Sequence, residues 1–224
     1  LKRELITTSD GSKTLLIQDL EETYHSRHGA LQEAEHVFIK NGFDLKYDCD
    51  INILELGFGT GLNVLVTFDE YLRNDKNHTV NYFGIEKYPV SLEEAAELSY
   101  SDLFDDQKLK DLALEIHRTE WEKSVELAPG FFLNKIQNDF FNIKNIDLPP
   151  IDLVYFDCFG ARVQPDLWEK ELIEIVASTI KPGGLLTTYS SKGSVRRILT
   201  ELGFEVEKKA GPPGKREMIN AWKK

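Results

Sequence analysis

Four carboxylates that close short apolar runs carry the chemistry open to this sequence. Glu55 lies at the end of Ile51–Leu56 and is followed by Gly57-Phe58-Gly59-Thr60-Gly61. Glu86 ends the run that starts at Val80, 25 positions after Gly61. Asp139 follows the run Phe131–Gln137, and Asp157 closes Ile151–Asp157. The glycines let a chain turn sharply and let backbone approach a ligand without Cβ obstruction. A carboxylate placed like Glu86 can accept both ribose hydroxyls of a nucleoside. A carboxylate that closes a buried apolar strand, as Asp157 does, seldom serves packing alone, because burying it is costly.

Two cofactor classes share this design. Dinucleotide folds use G-x-G-x-x-G and seat pyrophosphate on a helix N-terminus. Here the pattern is E-x-G-x-G-x-G. An acid two residues before the first glycine repels pyrophosphate and suits the ammonium of a methionine moiety. Glu55 therefore favours S-adenosylmethionine. Asp139 and Phe140 stand where an acid and an aromatic ring can frame an adenine; taken alone, Asp139 also reads as a helix cap or turn residue.

The elements that must position these groups alternate. The spacing predicts a strand over Thr14–Gln18, a helix over Leu31–Asn41 stopped by Gly42, and a strand over Ile51–Leu56. A helix over Leu62–Leu72 and a strand over Val80–Glu86 follow. Ser91 reads as an N-cap with Glu94 completing a capping box. Leu103–Leu114 is expected to be helical, and Phe131–Gln137 and Ile151–Asp157 to be strands. A helix over Pro165–Ile180 should end at Lys181-Pro182-Gly183-Gly184, before a strand over Leu185–Tyr189. A helix over Ser194–Leu202 and strands over Phe204–Lys208 and Glu217–Ala221 complete the chain, the last two pairing antiparallel. This is an α/β pattern: a doubly wound, mostly parallel sheet with ligands at the carboxyl ends of its strands. Residues 1–48 form an N-terminal extension expected to pack on the cofactor site, and residues 49–224 the main domain.

With 224 residues, 41% hydrophobic, the chain can bury a core of one domain. No apolar run approaches the roughly 18 residues of a membrane span. The two cysteines, Cys49 and Cys158, form no metal spacing, so no metal and a reduced, cytoplasmic setting are expected. The net charge of −11 argues against non-specific nucleic-acid binding. It conceals a gradient: residues 181–224 hold ten basic and four acidic side chains, leaving −17 on the first 180. A basic end on an acidic body could hold a polyanion, or simply be a solvated surface.

Four stretches together resemble one family, the tRNA 5-methylaminomethyl-2-thiouridine methyltransferases. They are Asp10-Gly11-Ser12 with Tyr24-His25-Ser26 and Gly29-Ala30; Leu54–Asn63; Asp157–Trp168; and Lys192–Arg197 with Gly203-Phe204 and Gly214-Lys215-Arg216-Glu217-Met218. The resemblance implies a class I S-adenosylmethionine-dependent methyltransferase. That fold is Rossmann-like, with a seven-stranded sheet ending in an antiparallel hairpin. Relatives fused to an FAD-dependent oxidase have a second dinucleotide motif that these residues lack, so no oxidase activity is expected. Gly160-Ala161 stands where relatives often have Ala-Pro, which predicts a looser backbone after Asp157.

The implied acceptor is the 5-aminomethyl group of a wobble uridine, often 2-thiolated, in the tRNA anticodon. The implied cofactor contacts are Tyr24, Glu55, Gly57, Gly59, Gly61, Asn63, Glu86, Asp139, Phe140 and Asp157. Asp157 and Phe159 are the expected catalytic residues. His25 and Trp168 are candidates for the uridine, and Arg196, Arg197, Lys215 and Arg216 for tRNA phosphates. A methyltransferase for a small-molecule or protein amine is the alternative reading.

Overall fold

The structure, a computed structural model, describes residues 2–46, 49–73 and 78–224. Among the described residues, eleven strands and six α-helices follow in chain order: β1 (Arg3–Thr7), β2 (Lys13–Ile17), β3 (Glu22–Thr23), α1 (Ala30–Ala34), β4 (Ile51–Leu56), α2 (Leu62–Arg73), β5 (Val80–Ile85), α3 (Leu92–Leu98), α4 (Gln107–Arg118), β6 (Ser124–Ala128), β7 (Phe131–Ile136), β8 (Ile151–Phe156), α5 (Lys170–Thr179), β9 (Ile180–Thr188), α6 (Gly193–Glu201), β10 (Phe204–Ala210) and β11 (Glu217–Lys223). β1, β2 and β3 form a small antiparallel sheet. The other eight strands form the central sheet, in the order β10-β11-β9-β8-β4-β5-β7-β6.

The core of that sheet is parallel, from β9 through β8, β4 and β5 to β7. Side chains alternate across it. On β8, Leu153 and Tyr155 join one apolar cluster with Val37, Phe38, Leu62 and Leu65, while Val154 and Phe156 join a second with Leu172, Ile173, Val176 and Leu199. Both faces are therefore covered, which is why β8 is buried at all six positions. Among the described residues no helix is long and apolar enough to cross a membrane.

Several expectations are corrected. The sheet has eight strands, not seven, because Ser124–Ala128 pairs antiparallel with β7 at the edge. Its five residues alternate but none is fully buried, and so short an edge run does not stand out in the sequence. The helix expected from Leu103 starts at Gln107, since the Asp106 carboxylate accepts from the Lys108 and Leu109 amides and caps it there. The stretch expected as one helix from Pro165 breaks at Glu169, whose backbone is extended (φ −92°, ψ 167°). Lys181–Gly184 lies within β9 as an irregularity: Ile180 pairs with Ile151 and Leu185 with Leu153. After α1 the chain continues as a π-helical turn over Glu35–Lys40 rather than an α-helix to Asn41. The capping box of Ser91 and Glu94 forms as its sequence pattern requires. The boundary expected between residues 48 and 49 falls at residues outside the described ones.

Beneath the turn that follows β4 lies a buried lysine. Lys135 on β7 is 1% exposed; its Nζ donates to the His117 carbonyl at 3.1 Å and sits 4.8 Å from the Trp121 ring centroid. His117 Nε2 in turn lies 3.1 Å from the Thr60 carbonyl, so α4 props the glycine turn from below. Burial lowers the Lys135 pKa to about 8. A depressed lysine pKa costs stability below that value and none above its ordinary range. Lys135→Met is therefore expected to raise the melting temperature at pH 7 by about 2–4 °C, equivalent to about 1 kcal/mol, after allowing for the lost cation–π contact. The gain should shrink towards pH 10. Thermal unfolding of both proteins across that range checks it, and a variant less stable at pH 7 would refute it.

Candidate active site

The parallel register of the central strands brings the acids together. Glu55 on β4 pairs with Tyr155 on β8, and the Asp157 amide donates to the Leu56 carbonyl at 3.2 Å. The carboxylates of Glu55 and Asp157 thus emerge at one end of neighbouring strands. Asn63, in the first turn of α2, reaches back over both: its Nδ2 donates to Glu55 Oε1 and to Asp157 Oδ2, each at 2.8 Å. The turn between β4 and α2 must be tight for that. Gly57, Gly59 and Gly61 all adopt positive φ (97°, 48° and 74°). At Gly59 an added Cβ would meet the Tyr24 ring at 2.9 Å, so a side chain there is excluded by contact as well as by φ.

Glu86 follows β5 and is 8% exposed. It accepts from the Gly59 amide at 3.1 Å and the Tyr88 amide at 2.8 Å, which fixes it beside the glycine turn. A cavity of about 350 Å³ is bounded by Tyr24, His25, Gly57, Phe58, Gly59, Asn63, Glu86, Asp139, Phe140, Asp157 and Phe159. This gathers residues from across the chain that the sequence nominated separately. Glu55 is not among them. It is fully buried and meets the cavity only through Asn63. Gly61 likewise lies behind the cavity, against Ile116 and His117.

The electrostatics suit a bound cation. Burial raises the Glu55 pKa to about 8. Burial, then the charge of Glu33, raises Asp157 to about 7. Burial also raises Glu86. Asn63 Oδ1, on the cavity wall, is buried without a hydrogen-bond partner. An ammonium group in the cavity would supply that donor and a positive charge opposite the acids. A glycine turn, a fixed acid after β5 and an uncompensated acid pair fit an aminoacyl nucleoside such as S-adenosylmethionine. Among the described residues no group of three or more His, Cys, Asp or Glu could hold a metal ion.

Other nominated residues fall differently. The Lys87 ammonium lowers the Asp139 pKa, with Nζ 2.7 Å from Oδ2, and Asp139 Oδ1 also caps the turn at Phe141. Its cap role and its place in the cavity wall are thus both real. His25 faces the cavity with Nδ1 3.1 Å from Thr14 Oγ1, and burial lowers its pKa to about 4. Trp168 is corrected: it is 1% exposed and cannot stack on a base. Its Nε1 instead donates to the Phe159 carbonyl at 2.8 Å. The loose backbone expected after Asp157 is corrected too. Tyr189 Oη donates to the Cys158 carbonyl at 2.7 Å, so two successive carbonyls are pinned. Arg196 and Arg197 both bring a guanidinium to within 4 Å of where a Cβ on Gly193 would sit, at the start of α6. Arg216 is exposed, but Lys215 turns inward to pair with Glu33.

Three participants escaped the sequence reading. Arg3 donates to Tyr24 Oη at 2.9 Å, to Glu94 Oε2 at 2.9 Å and to the Tyr88 carbonyl, tying the small sheet to the segment after Glu86. Glu33 and Tyr189 flank Asp157. Only Tyr189 left a trace, as a residue at the carboxyl end of a parallel strand.

The raised carboxyl pKa values have a testable consequence. A carboxyl that holds its proton more tightly folded than unfolded stabilises the fold fully below its ordinary range. That contribution is lost as pH rises through about 7 for Asp157 and about 8 for Glu55. Without ligand, the melting temperature is expected to fall between about pH 6.5 and pH 8.5, above the range in which the lowered pKa of His25 and His117 acts in the opposite sense. S-adenosylhomocysteine, which carries the ammonium, should recover more stability at the upper end. Parallel thermal melts with and without it provide the measurement; a ligand effect that weakens as pH rises would contradict this.

Known proteins show the family and the fold. A family model described as S-adenosyl-L-methionine-dependent methyltransferase matches residues 107–224. The chain is 31% identical over 230 residues to the tRNA 5-methylaminomethyl-2-thiouridine biosynthesis bifunctional protein MnmC of Leptospira interrogans, covering 92% of this chain and 33% of that protein. It is 33% identical over 214 residues to the MnmC of Marinobacter nauticus, covering 88% and 33%. The chain thus spans about a third of the length of these relatives. Among solved structures, MNMC2 from Aquifex aeolicus superposes with a TM-score of 0.81 at 26% identity, over 100% of this chain and 70% of that one. Magnesium protoporphyrin IX methyltransferase from Synechocystis, solved with bound SAM, shares the fold at a TM-score of 0.51 and 12% identity, over 93% and 85%. Sequence, fold and cavity agree, and the chain belongs to this family of S-adenosyl-L-methionine-dependent methyltransferases.

Proposed function

We propose that this methyltransferase acts on tRNA, converting the 5-aminomethyl group of a wobble 5-aminomethyl-(2-thio)uridine to 5-methylaminomethyl. The observation that carries the reading is the Asp157 carboxylate, fixed by Asn63 at the end of β8 and opening into the cavity of the glycine turn. The names of the MnmC relatives supply the acceptor class. The bound donor supplies an electrophilic methyl group on a sulfonium sulfur. Glu86 would take the ribose hydroxyls, Asp139 and Phe140 the adenine, and Asn63 with the Glu55 charge behind it the aminoacyl end. Tyr24, Phe159 and His25 would wall the reacting centre, Tyr24 and Phe159 meeting edge to face at 5.1 Å. Residues 1–48 act in this reading as a cover over the donor.

The acceptor nitrogen must be uncharged to attack. Asp157 would accept one of its N–H bonds, aim the lone pair at the methyl carbon and receive or relay the proton shed afterwards. Its near-neutral pKa suits both roles. A cytoplasmic setting accords with a tRNA acceptor. Phosphate contacts fall to Arg196, Arg197 and Arg216, at the end of the sheet that carries Tyr189 and Ser190. One observation favours the alternative of a small-molecule or protein amine: several C-terminal lysines are already neutralised, Lys208 by Glu217 at 2.9 Å and Lys209 by Glu207 at 2.5 Å.

Asp157→Ala is expected to cut methyl transfer to hypomodified tRNA by about 100-fold or more while S-adenosylhomocysteine still binds. Mass spectrometry of wobble nucleosides, with calorimetry for the ligand, decides it; unchanged turnover would remove Asp157 from the chemistry. Reversing Arg196, Arg197 and Arg216 to Glu should weaken tRNA binding and flatten its salt dependence by about two to three charges. Unaltered affinity would move the tRNA surface elsewhere, and turnover of an amine without tRNA would favour the alternative.

A further inference from the structure

A second recess, of about 460 Å³, opens beside the end of β9, bounded by Tyr189, Ser190, Ser191, Lys215, Arg216 and Glu217. It adjoins the donor cavity, because Tyr189 bonds the carbonyl of Cys158 and Cys158 lines that cavity. Lys215 is held there by two contacts. Its Nζ donates to Glu33 Oε1 and lies 3.7 Å from the Tyr189 ring centroid. Glu33 is itself fixed, accepting the Ser26 amide on Oε2 at 2.8 Å. The loop that carries Lys215 is docked on the N-terminal segment: the His28 ring occupies the space a Cβ on Gly214 (φ +84°) would need, and His36 Nε2 lies 2.8 Å from the Ala210 carbonyl. Asp157 interacts electrostatically with both Glu33 and Lys215. A lysine so engaged is poorly placed to grip a phosphate.

We propose that Lys215 sets the charge of the acceptor pocket: its ammonium cancels Glu33, leaves Asp157 as the one uncompensated acid facing the acceptor, and so keeps the acceptor amine uncharged. This rests on the amine-methylating reading above. An alkylammonium in water holds its proton to a pH of about 10. Two carboxylates beside it would hold that proton more firmly, and a cation at about 4–6 Å shifts such an equilibrium by about 1–3 pH units the other way. The aromatic face of Tyr189 attracts the Lys215 ammonium and confines it to the pocket wall. Other charges near this corner are already matched. Glu22, near Gly160, pairs with Arg162 at 3.3 Å. Arg216 is 3.8 Å from Glu217 and points to solvent. His28 is spent on packing against Gly214.

The test uses the full chain and two anticodon stem-loop RNAs, one with 5-aminomethyluridine at the wobble position and one with plain uridine. Lys215→Met should move the rising limb of the kcat–pH profile up by about one unit, a loss of about tenfold at pH 7. At pH 6.5 it should bind the aminomethyl RNA at least as tightly as the parent, since the ammonium form is now welcomed. Lys215→Arg should restore the profile, and Glu33→Gln should move it down. Affinity for both RNAs falling equally, with no change in pH profile, would overturn the proposal and make Lys215 a phosphate contact. If Lys215→Met does not fold, judged by S-adenosylhomocysteine binding, Glu33→Gln decides alone: no shift, or an upward one, overturns it. If the parent methylates only a tRNA-free amine, the tRNA reading fails and the same pH comparison on that amine still judges Lys215. If it methylates no amine, both readings fall.

Discussion

One side-chain amide holds the functional end of this molecule together. Asn63 binds two carboxylates that the sheet forces to emerge side by side, and it is a neutral donor where a cation would be expected. Burying one carboxylate without a counter-charge is costly, and burying two is worse. The fold tolerates it because protonation relieves the charge, which is why both Glu55 and Asp157 keep their protons to near neutrality. The glycine turn exists in this shape so that the first turn of α2 can return far enough to place Asn63. Lys135, His117 and Thr60 then keep that turn from sagging into the core. Stability is given up at both points: two buried carboxyls above, and a buried lysine below.

Much of the donor side was legible in the sequence because it is local. Ile51–Leu56 is a strand with its own bounds, and Glu55 to Asn63 spans nine residues in which turn, acid and amide can be read together. Glu86 and Asp157 were legible because a polar residue closing an apolar run stands out. The contacts of the N-terminal segment were not, because they join distant residues. Glu33 and Lys215 are 182 positions apart, and Arg3 and Glu94 are 91 apart. No local pattern marks such pairs. Trp168 misled for a related reason: an aromatic next to a functional stretch reads as a stacking platform until its burial is known. Edge strand β6 escaped because its alternation runs for only five residues at a sheet edge, and the π-helical turn after α1 because its apolar spacing reads as an ordinary helix.

The charge gradient along the chain also changes meaning in three dimensions. Counted by residue, the C-terminal segment is basic. Counted by environment, Lys208, Lys209 and Lys215 each meet an acid, Lys181 pairs with Asp152, and Lys223 is held by the carbonyls of Ala177 and Ile180. What remains for a polyanion is Lys192, Arg196 and Arg197 around the start of α6, Arg216 at the tip of the last hairpin, and Lys224. That is a weaker field than the sequence total implies, and one better suited to a few defined phosphates than to non-specific attraction.

The contact between Tyr24 and Phe159 reaches beyond the walls it builds. Tyr24 belongs to the small sheet and is tethered by Arg3 to the segment beside Glu86; Phe159 belongs to the loop pinned by Trp168 and Tyr189. One ring pair therefore joins a body that rests on the donor cavity to a body that rests on the second recess, where the proposed acceptor would lie. In thermodynamic terms the two ligands share a boundary whose position each can bias. Whatever factor the donor contributes to acceptor affinity, the acceptor must return to the donor in equal measure, and the two cannot be tuned separately by mutating that boundary.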